Sequence, residues 1–142
     1  MCKEKRVLRT MYGAILVLAV LASAVLVGCS GASNSIQLGA DDNGTRVTMK
    51  KGQTLVVTLE SNPTTGYSWQ VVPSDDGVLA QVGEAEFEES PHDKDLVGVG
   101  GVEMLRFQAK KAGQTTLELA YRRPWETSEK PIETFTVQVT VE

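Results

Sequence analysis

Residues 36–142 predict an all-β fold, an antiparallel sandwich of about seven strands, on three observations. Apolar side chains recur at every second position in short runs, the spacing that turns one face of a strand toward a core. Clusters of Gly, Pro and Asp separate the runs, as turns between strands require. No window of this stretch repeats apolar residues at a helical period.

A first strand is expected over 45–50. The second, 53–60, sets Leu55, Val57 and Leu59 against Thr54, Thr58 and Glu60. The third, 66–72, puts Tyr67, Trp69 and Val71 on one face, with Trp69 as the core tryptophan of an immunoglobulin-like sandwich. A fourth is expected over 78–87. In the fifth, 102–109, Leu105 and Phe107 face inward, and Glu103 and Arg106 are assigned outward. The sixth, 114–122, sets Leu117, Leu119 and Tyr121 against Thr116 and Glu118. The seventh, 132–141, sets Phe135, Val137, Val139 and Val141 against Thr136, Gln138 and Thr140.

The first 28 residues belong to another class. Lys3, Lys5, Arg6 and Arg9 precede an uncharged apolar run over 11–28, the pattern of an export signal. The run is long enough to span a bilayer, so its end decides. Leu26-Val27-Gly28-Cys29 resembles a bacterial lipobox, in which a small residue precedes a cysteine that is lipidated before cleavage. Residues 29–35 then read as the lipidated Cys29 and a flexible Ser/Gly-rich tether, and 36–142 as the folded domain. The expected location is the bacterial cell envelope, held by lipid at Cys29, with plasma and outer membrane both open.

Charge and cysteine count exclude several functions. Hydrophobic residues make up 42% and charged residues 23%, values that argue against disorder. Loss of 1–28 removes four basic and one acidic side chain and moves the net charge from −4 to −7, which disfavours nucleic acid as a partner. The two cysteines are Cys2 and Cys29, so the domain has neither a disulfide nor a thiolate. His92, the one histidine, has no Cys or Ser arrangement around it. With Asp93 and Asp95 it reads as a solvated loop rather than a metal site, and Glu88-Glu89 and Asp75-Asp76 read as solvated turn residues. No catalytic residue, metal or cofactor is expected, and the domain is expected to be a monomer.

The connections fall into two sets. Lys51-Gly52, residues 73–77 and residues 110–113 are plain turns. The other three, 61–65, 88–101 and 123–131, alternate with them, so up-and-down strands would gather these three at one end. In the first, Pro63 restricts Asn62, Thr64 and Thr65 are stiff at χ1, and Gly66 permits positive φ. The expected result is a rigid, uncharged wedge. The second ends in Gly98-Val99-Gly100-Gly101, which bares backbone for pairing with a partner or simply gives flexibility. The third carries Arg123-Pro124-Trp125, an aromatic and basic pair typical of interface anchors, unless Trp125 folds back over its own sandwich end.

NPTTGYSW, GVGG and YRRPWE, in this order, resemble the three signature loops of the chagasin-type inhibitors of papain-like cysteine peptidases, and the resemblance spans about 36–142. It implies a reversible, non-covalent inhibitor and no enzyme. Thr64, Thr65 and Gly66, within the loop from Asn62 and Pro63 to Tyr67, would enter the peptidase cleft over its catalytic cysteine. Gly98, Val99, Gly100 and Gly101 would flank one side, and Arg123, Pro124 and Trp125 would clamp the other. The alternative is an immunoglobulin-like envelope or adhesion module with no peptidase target.

Overall fold

A computed structural model describes residues 34–92 and 95–142. The export segment 1–28, Cys29, the tether as far as residue 33, and Asp93 lie outside the described residues. Within them, two β-sheets enclose one apolar core containing Leu55, Val57, Trp69, Leu105, Phe107, Leu119, Phe135 and Val137. The alternation in the sequence is thus an inward-facing stripe on each long strand.

Among the described residues nine strands build the sandwich: β1 (Ser35–Leu38), β2 (Arg46–Met49), β3 (Thr54–Ser61), β4 (Ser68–Val71), β5 (Leu79–Gln81), β6 (Glu86–Glu89), β7 (Gly101–Ala109), β8 (Gly113–Arg122) and β9 (Glu133–Val141). One sheet has the order β1-β3-β7-β5, with β6 also paired to β7. The other has the order β2-β9-β8-β4.

Four details of the strands differ from the sequence expectation. Ser35, assigned to the tether, begins β1, which pairs in parallel with β3 from Ser35 opposite Thr54 to Leu38 opposite Val57. Two apolar residues, Ile36 and Leu38, make too short a run for alternation to register. Strand β2 also pairs in parallel, with β9, whereas the remaining pairings are antiparallel.

The continuous strand expected over 78–87 is broken. Gln81 lies opposite Phe107 and Glu86 opposite Met104, so residues 82–85 bulge where β7 supplies only Leu105 and Arg106. Glu88 and Glu89 therefore belong to a strand, opposite Val102 and Gly101, and not to a solvated turn. Glu103 is the fourth correction. It shares the two-residue period of Leu105 and Phe107 and is buried on the inner face, while Arg106 faces out and forks onto Glu86 at 2.7 and 3.0 Å.

The pairings fix which connections share an end. Ser61 ends β3 opposite Gly101, which starts β7 and also faces Glu89, the end of β6. Ser68 starts β4 opposite Arg122, the end of β8, and Glu133 starts β9 opposite Tyr121. Connections 62–67, 90–100 and 123–132 therefore leave from one end. A fourth connection, 39–45, is set back beside β9, where Asn43 bonds Thr134 and Thr136.

The plain turns lie at the opposite end, where Gly52 donates to the Ala109 carbonyl at 2.9 Å and Lys110 to Val78 at 2.8 Å. Asp76, expected to be a solvated turn residue, instead ties that end together. Its carboxylate accepts the Thr115 hydroxyl and the Val78 N–H. These two bonds, the Thr115 bond foremost, hold the Asp76 pKa below the ordinary value of 3.8.

Candidate binding rim

At the rim end, Pro63–Thr65 forms a single 3-10 turn, with Asn62 before it and Gly66 after it. Pro63 fits this position because its fixed φ suits a first helical residue and its missing N–H is no loss there. The Asn62 side chain accepts the Thr64 N–H at 3.3 Å and the Thr64 hydroxyl at 2.6 Å. The Asn62 carbonyl accepts the Thr65 N–H at 3.1 Å and the Thr65 hydroxyl at 2.6 Å. Both threonines thus turn their hydroxyls onto one asparagine. Gly66 closes the turn at φ 81°, donating to the Pro63 carbonyl at 2.9 Å. The wedge expected from stiff β-branched residues is stiffened mainly by this hydrogen-bond set.

Asn62 also reaches outside its own loop. Its Nδ2 donates to the Gly98 carbonyl at 3.2 Å, and its backbone N–H donates to the Tyr121 hydroxyl at 2.9 Å. The glycine strip packs beside the wedge. A Cβ on Gly98 would lie 3.7 Å from the Thr64 hydroxyl oxygen, and one on Gly100 would lie 3.3 Å from the Ser61 carbonyl oxygen. Gly98 is exposed, whereas Val99 and Gly100 are half-buried.

Gly101 has a different place. It is buried between Ser61 of β3 and Glu89 of β6, and a Cβ there would collide with the Glu88 carbonyl oxygen. Only glycine allows β6 to pass so close. Its position makes it the footing of the strip, set below the exposed surface.

Residues 123–125 come to the other flank of the wedge. The Arg123 Nε–H donates to the Thr65 carbonyl at 3.2 Å, and its Nη1 pairs with Glu126 at 3.1 Å. Its guanidinium stacks 4.8 Å over the Tyr67 ring. Tyr67 leans on Tyr121 at 5.6 Å, and Tyr121 on Trp69 at 5.1 Å. A column of four planar groups therefore runs from the rim into the core. Tyr67, expected inside by its parity with Trp69, is half-buried because it precedes β4. Trp69 is 5% exposed, and its indole N–H donates to the Glu60 carbonyl at 3.0 Å. Trp125 remains 68% exposed, and Pro124 is exposed beside it.

All thirteen candidate rim residues thus lie at one end, with Gly101 beneath the surface. The joints between the loops are not legible in the sequence. The sequence places Asn62 in the first loop and Tyr121 in the YRRPWE motif, but does not announce that the two are bonded to each other or that Asn62 reaches Gly98. His92 sits on the approach to the strip, its Nδ1 2.8 Å from the Ser90 carbonyl and its Nε2 3.9 Å from the Glu89 carboxylate.

A family model described as Chagasin family peptidase inhibitor I42 matches residues 48–139. Amoebiasin-1 of Entamoeba histolytica is 36% identical over 107 residues, covering 75% of this chain and 100% of that protein. Chagasin of Trypanosoma cruzi is 34% identical over 99 residues, covering 67% and 87% respectively. Among solved structures, the crystal structure of the cysteine protease inhibitor EhICP2 from Entamoeba histolytica matches with a TM-score of 0.65 at 25% identity, over 76% of this chain and 96% of that one. The matched family is one of inhibitors and not of enzymes.

Proposed function

The chain belongs to the chagasin family of peptidase inhibitors, and from that premise we propose that its rim closes the active-site cleft of papain-like cysteine peptidases, reversibly and without a covalent bond. Thr64, Thr65 and Gly66 cover the catalytic cysteine. Gly98, Val99 and Gly100 line one wall, with Gly101 as their footing. Arg123, Pro124 and Trp125 grip the other wall, and Asn62, Pro63 and Tyr67 hold the wedge in shape.

One observation carries this reading: hydrogen bonds from Asn62 to Gly98 and from Arg123 to Thr65 join the three loops before any partner arrives. A surface already fixed loses little conformational freedom on docking, which lets an interface of ordinary size bind tightly. The wedge presents threonine and glycine, and no cysteine follows Cys29, so the folded domain brings no thiol to a covalent exchange.

The same proposal covers delivery. Export by residues 1–28 and lipidation of Cys29 leave a monomeric inhibitor on the cell envelope, tethered by the residues before β1. Each acyl CH₂ contributes about 0.8 kcal/mol of membrane binding, so two or more chains anchor it stably. Cys29→Ser is expected to move the chain from the membrane to the soluble fraction, and retention in the membrane would speak for an uncleaved helix.

The inhibitory reading is tested by titrating papain with the protein. A saturable loss of activity at one inhibitor per enzyme, restored on dilution, is the expected result. Full activity at micromolar protein would favour an adhesion module instead.

A further inference from the structure

Glu103 is a carboxylate on the inner face of β7, in line with Leu105, Phe107 and Ala109, and only 6% exposed. Its Oε2 accepts the Ser61 hydroxyl at 2.8 Å and the Trp69 backbone N–H at 3.2 Å. Neither partner carries a charge. A carboxylate placed among apolar neighbours loses hydration that two neutral donors replace only in part, so its net contribution to stability is small even though both donors depend on it. What the carboxylate supplies is position.

Ser61 is the last residue of β3 and Trp69 is the second residue of β4, so the two donors are the two feet of the 62–67 arch, one in each sheet. Both bonds end on a single oxygen. Glu103 itself stands two residues beyond Gly101, where the glycine strip enters β7. One buried side chain is therefore fastened to both ends of the wedge from the strand that carries the second loop.

We infer that Glu103 is a positioning residue for inhibition, setting the spacing of the arch's feet and so the height and tilt of Thr64, Thr65 and Gly66. It touches no peptidase. The inference rests on the inhibitory reading of the rim, but the geometric part can be measured without a target.

The test compares Glu103→Leu and Glu103→Gln in the full chain. Leu fills the space and removes both bonds. Gln keeps one amide oxygen at the bonded position, which is sufficient because a single oxygen holds both donors. In Glu103→Leu, amide exchange should accelerate at Trp69, Thr65 and Gly66 while the sandwich stays folded, and inhibition of papain should weaken at least about tenfold. Glu103→Gln should stay within about threefold of the parent in inhibition, with exchange at those amides restored.

Unchanged exchange at Trp69, Thr65 and Gly66 in a folded Glu103→Leu protein would overturn the inference, as would a loss that Gln fails to rescue. If the chain inhibits no peptidase, the exchange comparison still decides whether Glu103 positions the arch, so the two failures are separable. Should Glu103→Leu not fold, Ser61→Ala takes its place, since it removes one foot alone. Faster exchange at Thr65 and Gly66 is expected there, and no change would count against Glu103.

Discussion

The indole of Trp125 lies so close to Gly66 that a methyl group on that glycine would stand 2.8 Å from Cη2 and 3.2 Å from Cζ2. Trp125 is thus exposed and braced at once. The sequence left open whether this side chain projects as an anchor or folds back over the sandwich. It leans on the wedge and still shows two-thirds of its surface.

Gly66→Ala should therefore act twice. Its φ of 81° strains a side chain by about 1–3 kcal/mol, and the new methyl displaces the ring. Inhibition of papain is expected to fall by about tenfold or more while the sheets remain folded. An inhibition constant equal to the parent's would show that the contact with Trp125 has no part in binding.

Trp125→Ala removes the ring and leaves the core untouched. The expected cost is on the order of 2 kcal/mol of binding, as for an aromatic interface anchor. Thermal stability should change by only about 0.5 kcal/mol, since the side chain is mostly exposed. Parallel inhibition and melting measurements separate the two effects.

Asn62→Ala breaks the joint between the loops. It loses the bonds to the Thr64 N–H and hydroxyl and to the Gly98 carbonyl, and keeps the backbone bond to Tyr121. Stability should drop by about 1 kcal/mol, the usual cost of removing such a cap, and inhibition should weaken further as the wedge and the strip part. Asn62→Asp keeps the acceptor for Thr64 and loses the donor to Gly98, so its inhibition should lie between those of the parent and the alanine variant.

The opposite end carries a pH dependence. The folded pKa of Asp76 lies below its unfolded value near 3.8, because the Thr115 hydroxyl and the Val78 N–H favour the ionised form. The stability it contributes is thus fully present above pH 3.8 and is lost as pH falls through the lower, folded value. Asp76→Asn should flatten this part of the acid-unfolding curve and leave inhibition at neutral pH unchanged. A matching loss of inhibition would mean that the two ends are coupled.

The long strands were legible in the sequence because they are half-buried and alternate strictly, as Leu55, Val57 and Leu59 do. The shared end of the three loops followed from counting connections. What stayed hidden was set by tertiary partners. Strand β1 has only Ile36 and Leu38 to announce it, and residues 82–85 bulge because β7 runs past them two residues short. Glu103 obeys the inward period, but its charge argued for the outside until Ser61 and Trp69 gave it partners. The hub at Asn62 was invisible for a similar reason: its partners Gly98 and Tyr121 lie 36 and 59 residues away.

Amide-exchange protection of the chain, with and without saturating papain, bears most directly on how the protein binds. New protection confined to residues 62–66, 98–100 and 123–125, with residues 50–53, 73–77 and 110–113 unaffected, is the expected result. Protection centred on the latter three turns would show that the sandwich docks by its other end.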